Sequence, residues 1–358
     1  MNDALRRDGA AALSDWYRTH NRPLPWRQSP TPYRVWVSEI MLQQTRIEAV
    51  LPYYERFMAR LPDVPSLAAA PEDVLLKLWE GLGYYSRARN LKKAAQIVMQ
   101  RFGGELPADY DALSSLPGIG PYTAGAVASI AFGLPYPAVD GNVLRVAARL
   151  CDHAGDVLSP AVRRELTEQV RLWLPETAAG MFNQAIMELG ETVCLPRTAP
   201  RCGLCPLRES CLGYAHGTAE TLPVRCPRTT RRREKLTVFV CLSDGPQKRV
   251  LLHRRPDTGL LAGLWELPNL PDGDALTPED WAAQQGLSVY KTFPLPAGRH
   301  LFTHVEWQMT GFALLCRAPV LTENGVWVTE EQLKSDYALP SAFHTYSRAL
   351  PAWLHQNG

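Results

Sequence analysis

Four cysteines crowd one stretch of the chain, Cys194-x7-Cys202-x2-Cys205-x5-Cys211. Clustered thiolates hold zinc or an iron–sulfur cluster. In a reducing compartment such crowding points to metal rather than to disulfides. Zinc sites often pair two CxxC knuckles; a single CxxC nested in a compact loop favours a 4Fe–4S cluster. The other four, Cys151, Cys226, Cys241 and Cys316, are scattered and read as small buried hydrophobes. Two carboxylates stand in unlike settings. Glu39 lies between Val37, Ile40 and Met41 in an apolar helical stretch, where desolvation should raise its pKa and keep it protonated. Asp140 lies in Val139-Asp140-Gly141-Asn142-Val143, where a helix begins. Backbone N–H groups and the helix dipole should lower its pKa and keep it ionised. One acid and one anion is the pairing that glycosidic bond cleavage uses.

The elements that would hold these groups are helical as far as about residue 215. YRVWVSEIMLQQ, PEDVLLKLWEGLG, ARNLKKAAQIVMQRFG and TAGAVASIAFG repeat apolar residues at three- and four-residue spacing between Pro/Gly breaks, which predicts an all-α domain. Within it, Leu116-Pro117-Gly118-Ile119-Gly120 separates two helical stretches. The glycines permit positive φ and close backbone approach, and the following helix presents an N-terminus to an anion. The motif reads as a helix–hairpin–helix, which grips a phosphate without reading sequence. No strand precedes it, so it is no dinucleotide loop. RCPRTTRRREK, from Arg225 to Lys235, carries six basic residues and one acid; it reads as a solvated linker or as a phosphate contact. Beyond it, LTVFVCLSD, KRVLLHRR, LFTHVEWQMTGFALLC and NGVWVT are short, β-branched and aromatic, hence strands. DALTPEDWAAQQGL and SAFHTYSRALPAWL read as helices, so a smaller α+β domain follows. The expected boundaries are 1–224, a basic linker at 225–236, and 237–358.

The net charge of this 358-residue chain is only +2, so any basic surface must be local. No run of 18 apolar residues and no apolar secretion signal is present, which predicts a cytoplasmic protein with no membrane span.

The order hairpin, helix, Asp resembles the helix–hairpin–helix base-excision glycosylases, the superfamily of endonuclease III, over most of residues 1–215. Val37-Ser38-Glu39-Ile40-Met41-Leu42-Gln43-Gln44-Thr45, Gly81-Leu82-Gly83-Tyr84-Tyr85-Ser86-Arg87 and Leu24-Pro25-Trp26-Arg27 resemble the MutY branch, the adenine DNA glycosylases. That resemblance implies a 4Fe–4S cluster on Cys194, Cys202, Cys205 and Cys211, although the usual first gap is six residues and here it is seven. It implies that Glu39 protonates adenine N7 and later handles the water. Asp140 would stabilise the sugar cation, through a transient adduct in the family's retaining mechanism, and Tyr122 and Asn142 would position the carboxylates. Trp26, Arg27, Leu42 and Gln184 would line the adenine pocket, and Gln44 and Tyr84 would wedge into the duplex beside 8-oxoguanine. Gly118, Ile119 and Gly120 would hold a DNA phosphate; Arg197 and Arg201, between the cysteines, are either phosphate contacts or ordinary surface arginines. Lyase-active relatives carry a lysine where Tyr122 stands, so the resemblance implies a monofunctional enzyme.

Gly259-Leu260-Leu261-Ala262-Gly263-Leu264-Trp265-Glu266-Leu267-Pro268 resembles the Nudix-like C-terminal domain of the same family. Ala283 and Gln284 stand where a working Nudix helix needs metal-binding glutamates, so this domain should recognise rather than hydrolyse. Phe302-Thr303-His304 resembles the loop that checks for 8-oxoguanine. The expected partner is double-stranded DNA with 8-oxoguanine:adenine or guanine:adenine mispairs, bound by a bacterial, nucleoid-associated monomer. Rival readings are an endonuclease III-like lyase, a cluster-bearing damage binder and a Nudix pyrophosphatase; strand-cleavage, base-release and nucleotide-hydrolysis assays separate them.

Overall fold

The computed structural model describes residues 3–196, 198–226, 231–244, 247–271, 276–319 and 325–355. The chain divides into two compact units, Met1–Ala69 with Arg89–Pro227 and Ala70–Ala88 with Arg228–Gly358. Among the described residues no helix is long and apolar enough to cross a membrane.

The first unit is helical. Its Pro121–Phe132 helix has apolar residues almost throughout, with Thr123–Ser129 all buried. A helix apolar on all sides needs neighbours on all sides, and small residues let them come close. A Cβ on Gly125 would sit 2.2 Å from the Pro137 carbonyl oxygen, and one on Gly180 would sit 2.4 Å from that of Ser129. Gly180 brings in the Ala179–Thr192 helix. The Gly141–Leu150 helix is buried from Val143 to Leu150, and a core built on Val143, Phe182, Ile186 and Leu189 joins it to Ala179–Thr192.

The second unit holds a mixed sheet of strands β1 (Arg232–Ser243), β2 (Val250–Arg254), β3 (Trp265–Glu266), β4 (Asn269–Pro271), β5 (Val289–Leu301), β6 (Val305–Cys316) and β7 (Gly325–Val328). The main order is β3-β2-β1-β6-β5, with β4 on β1 and β7 on β2. β1 and β6 run parallel. Alternation along β1 feeds two cores, as the two-residue period of a strand requires. Leu236, Val238, Val240 and Leu242 pack towards Phe343 and Tyr346 on one face; Phe239 and Cys241 pack towards Trp281 on the other. Trp281 belongs to the Pro278–Gln284 helix and stacks on Phe239 at 4.0 Å.

Three expectations need correction. First, Ala70–Ala88 groups with the C-terminal residues and not with domain 1–224. Lys77 Nζ donates to the carbonyls of Leu333 (2.8 Å) and Tyr337 (3.0 Å), and Glu80 Oε1 accepts from the Leu339 N–H at 2.7 Å. Such long-range bonds leave no trace in a local apolar pattern. Second, β1 begins at Arg232, inside the stretch read as linker, because its pairing with β6 runs from Arg232↔Val305 to Ser243↔Cys316. Residues 227–230 of that stretch lie outside the described residues. Third, the LFTHVEWQMTGFALLC strand breaks: β5 ends at Leu301 and β6 starts at Val305. Phe302-Thr303-His304 is the turn between them, closed by Phe302 N–H on the Val305 carbonyl at 2.8 Å.

Candidate active site

The Pro32–Leu42 helix starts well, with Thr31 capping the Arg34 N–H and Pro32 in the first turn. It buries Tyr33 and every residue from Val35 to Met41, Glu39 among them. Burial is the larger influence on Glu39 and raises its pKa from 4.5 to about 7 against the opposing Tyr122 hydrogen bond. Tyr122 donates that short bond from its hydroxyl to Glu39 Oε2. Its own pKa is pushed well above 10 by burial and by Glu39, so it remains a donor.

Asp140 caps the Gly141–Leu150 helix, accepting from the N–H groups of Asn142 (2.9 Å) and Val143 (2.8 Å) and from Asn142 Nδ2 (2.9 Å). The expected lowering of its pKa does not hold. Burial raises it, and the two backbone N–H groups offset that only in part. The two carboxylates still differ in kind. Among the described residues Glu39 accepts from one hydroxyl, whereas Asp140 accepts from three N–H groups, each favouring its ionised form. Glu39 is therefore the better placed of the two to hold a proton, and Asp140 to hold a charge.

Both carboxylates line one open cavity of about 1220 Å³, together with Trp26, Arg27, Leu42, Gln44, Tyr122, Asn142 and Gln184. This exceeds the roughly 300–1000 Å³ of ordinary small-molecule pockets, leaving room for a whole nucleotide. Ten residues named from the sequence meet here, Gly120 being the tenth. The cavity also takes in Arg22, Met187, Glu188 and Glu191, which sequence reading missed. Glu188 follows Gln184 by four residues, one turn along the same helix face, and that spacing could have disclosed it. Met187 Sδ lies 3.3 Å from the Tyr122 hydroxyl.

The hairpin departs from expectation in two details. Only Gly118 uses the left-handed region (φ +79°); Gly120 is the extended N-cap of the next helix. Ile119 is buried, and its N–H closes the turn on Leu116 at 3.1 Å. The anion-binding feature left at the hairpin is the N-terminal turn of Pro121–Phe132, since the first N–H groups of a helix have no partner within it. Gly118→Ala should lower the melting temperature and weaken duplex binding. A non-glycine residue there costs about 1–2 kcal/mol in backbone strain, and its Cβ would meet Asn90 Cβ at 2.8 Å. Unchanged melting and unchanged duplex affinity would contradict this.

Two family models match, the HhH-GPD superfamily of base excision DNA repair proteins over residues 37–172 and the NUDIX domain over 237–349. The adenine DNA glycosylase of Mus musculus is 36% identical over 89% of this chain and 73% of its own length. That of Buchnera aphidicola subsp. Schizaphis graminum is 40% identical over 82% of this chain and 83% of its own. A solved structure of a thermostable thymine-DNA glycosylase matches with TM-score 0.53 and 27% identity, over 60% of this chain and 98% of that one.

The chain belongs to the adenine DNA glycosylase family. It is a DNA glycosylase, built from a helix–hairpin–helix domain and a Nudix-like domain. In this member of the family the four cysteines line a second, small cavity. Among the described residues no three His, Cys, Asp or Glu side chains converge on a point that a single metal ion could occupy. Buried Arg149 donates to Cys194 Sγ at 3.1 Å. Buried Arg145 donates to the Cys194 carbonyl (2.8 Å) and to Asn142 Oδ1 (3.0 Å). The cysteine loop is thus bonded to the helix that Asp140 caps. Arg201 is exposed and donates to the Thr192 carbonyl at 3.4 Å; Arg197 lies outside the described residues.

The remaining named residues of this adenine DNA glycosylase family member belong to the second unit. Tyr84 is 47% exposed, at φ +48°, and its hydroxyl lies 3.0 Å from Thr303 Oγ1. Arg87 sits over the Tyr84 ring and donates to the carbonyls of Leu82 and Gly83. Phe302 packs edge-on against Trp307. Arg231 Nε donates to the Phe302 carbonyl at 2.9 Å, and the Arg232 N–H donates to the His304 carbonyl at 3.0 Å. Two of the basic residues read as linker therefore brace this turn.

Proposed function

We propose that the enzyme hydrolyses the N-glycosidic bond of adenine mispaired with 8-oxoguanine, or with guanine, and does not cut the strand. The observation that carries this is the pairing of Glu39 and Asp140 in one cavity, one held as an acid by burial, the other offered three N–H donors. The extruded base enters the cavity between Trp26, Arg27, Leu42 and Gln184. Glu39 delivers its proton to a ring nitrogen as the bond to the sugar lengthens. The Asp140 carboxylate faces the growing positive charge on the sugar, and Glu39 then takes a proton from the attacking water. Tyr122 and Asn142 keep the two carboxylates in place. Among the described residues no lysine lines the cavity, which supports a reaction without a Schiff base.

Gln44 and Tyr84 fit wedges that fill the space left by the base. Each holds positive φ, +61° and +48°, a backbone state that ordinary residues occupy only where function or packing demands it. The turn Phe302-Thr303-His304 fits the reader of 8-oxoguanine, Thr303 supplying a hydroxyl. Residues 237–358 then serve recognition, and duplex DNA bearing the mispair is the partner of an enzyme that works as a monomer on cytoplasmic, nucleoid DNA. Cys194, Cys202, Cys205 and Cys211 would hold a 4Fe–4S cluster, which supplies a covalent tie that fixes the loop. Cys205→Ser should lose iron and sulfide from the purified protein and lower its melting temperature. Zinc in place of iron would overturn the assignment.

The decisive test is single-turnover release of adenine from a duplex with one A opposite 8-oxoguanine, beside a control with C opposite 8-oxoguanine. Half of each sample receives alkali. Release from the A duplex only, with breaks only after alkali, is expected. Tight binding without release would leave a damage binder, and breaks without alkali would make it a lyase.

A further inference from the structure

Glu188 is a buried ion that the reaction does not use. Its side chain is fully shielded, and it lies one turn before the end of the Ala179–Thr192 helix, where the helix dipole disfavours an anion. Burial raises its pKa, but hydrogen bonds and charge from Arg22 and Arg27 outweigh that, leaving it below the ordinary carboxylate value. Arg22 grips it with two nitrogens, Nε to Oε1 at 2.5 Å and Nη2 to Oε2 at 3.1 Å. Arg27 Nη2 reaches Oε2 at 2.8 Å. Buried ion pairs of this sort can often be replaced by apolar side chains without loss of stability, so stability alone is a weak reason for this one.

What the carboxylate does constrain is Arg27. That guanidinium is held from three sides: by Glu188, by the Arg22 carbonyl (3.3 Å from Nη1) and by the Tyr17 ring, 5.5 Å beneath it. The same Tyr17 donates from its hydroxyl to Gln184 Oε1 at 3.3 Å, and Gln184 Nε2 donates to the Gly180 carbonyl. Arg27 and Gln184 both line the cavity. A guanidinium has donors only, so on the wall of a base pocket it can hydrogen-bond acceptors such as the ring nitrogens but not an exocyclic amino group. Its long side chain has many rotamers, and only a fixed one supplies those donors without an ordering cost at each turnover.

We propose that Glu188, clamped by Arg22, is a positioning residue that fixes Arg27 on the wall of the base pocket and so sets the placement of the extruded adenine. This rests on the adenine-excision reading above. Glu188 never touches the base; it acts through Arg27.

The test compares wild type, Glu188→Gln, Arg27→Met and the double variant, all full-length. Two quantities are read: the single-turnover rate of adenine release at saturating enzyme, and affinity for the abasic-site product duplex, which has no base for Arg27 to meet. Glu188→Gln should slow release about 10- to 100-fold, the scale of a misplaced reacting group. Its affinity for the abasic duplex should stay within about twofold of wild type, and Glu188→Asp, which keeps the charge, should recover most of the loss. In the Arg27→Met background the added Glu188→Gln should cost nothing more, as expected of residues acting as one unit. That last comparison stands even if Glu188→Gln alone fails to fold, because the double variant leaves one fewer buried charge unpaired. Independent, multiplying losses from the two substitutions would overturn the proposal. So would an equal loss of abasic-duplex binding, which marks a general structural role. If wild type itself releases no adenine, the excision reading fails first and the proposal falls with it, an outcome distinct from active wild type with indifferent variants.

Discussion

Glu39→Gln is expected to slow adenine release about 10³- to 10⁴-fold, the upper range for loss of a general acid. The amide fills the same space and can still accept from Tyr122, so packing survives while the transferable proton is gone. The pH profile should show the same group. With a pKa of about 7 in the folded protein, wild-type single-turnover rates should hold level below that pH and fall about tenfold per unit above it. The residual rate of the variant should lack this limb. The substitution acts on stability with the opposite sign from its effect on rate. The folded pKa lies above the ordinary 4.5, so between pH 4.5 and 7 the native state binds more protons than the unfolded one. Stability therefore falls as pH rises through that window, and the deficit is complete above about 7. Glu39→Gln should accordingly melt higher than wild type at pH 8 and level with it near pH 4.5. A variant that melts lower at pH 8, or cleaves at the wild-type rate, would sink the assignment of Glu39 as a buried acid.

Asp140→Asn should cost roughly 10³-fold or more in the same assay, since a charge aimed at the developing cation is worth more than a single neutral donor. This variant separates chemistry from architecture. Asparagine is as good an N-cap as aspartate, and its oxygen can take the N–H groups of Asn142 and Val143 that Asp140 now takes. Burial raises the Asp140 pKa, so neutralising it removes a desolvation penalty instead of adding one. Melting should change by less than about 1 kcal/mol while release collapses. Combined with Glu39→Gln the losses should fall well short of multiplying, because the two carboxylates serve one transition state. A folded Asp140→Asn enzyme with near-normal release would show that the sugar cation needs no anion here.

The helical half and its site were legible because the signals are local. Periodicity gave the helices; a glycine pair, a capping aspartate and one buried glutamate gave the centre of the cavity. What escaped notice depends on distance in sequence. The Arg22–Glu188 pair spans 166 residues, and nothing around Arg22 marks it as other than a surface charge. At Asp140 the sequence discloses the helix start but not the burial of that start, and burial reverses the direction of its pKa. In the second domain the strands were legible from β-branched composition, but the turn at Phe302–His304 interrupts what reads as one continuous strand. Its bracing by Arg231 and Arg232 was hidden inside a run of positive charge that looked like linker.

The discontinuity of the second unit has a consequence for synthesis. Ala70–Ala88 leaves the ribosome early, yet the groups that anchor it through Lys77 and Glu80 are the backbone of Leu333, Tyr337 and Leu339. At about 5–20 residues per second, the Tyr84 loop waits roughly 10–50 s for them. A nascent chain released before that point carries the cavity of Glu39 and Asp140 but lacks the anchors of the Tyr84 loop. The ribosome thus completes the part proposed to carry the chemistry of this repair enzyme before it completes the part proposed to inspect the lesion.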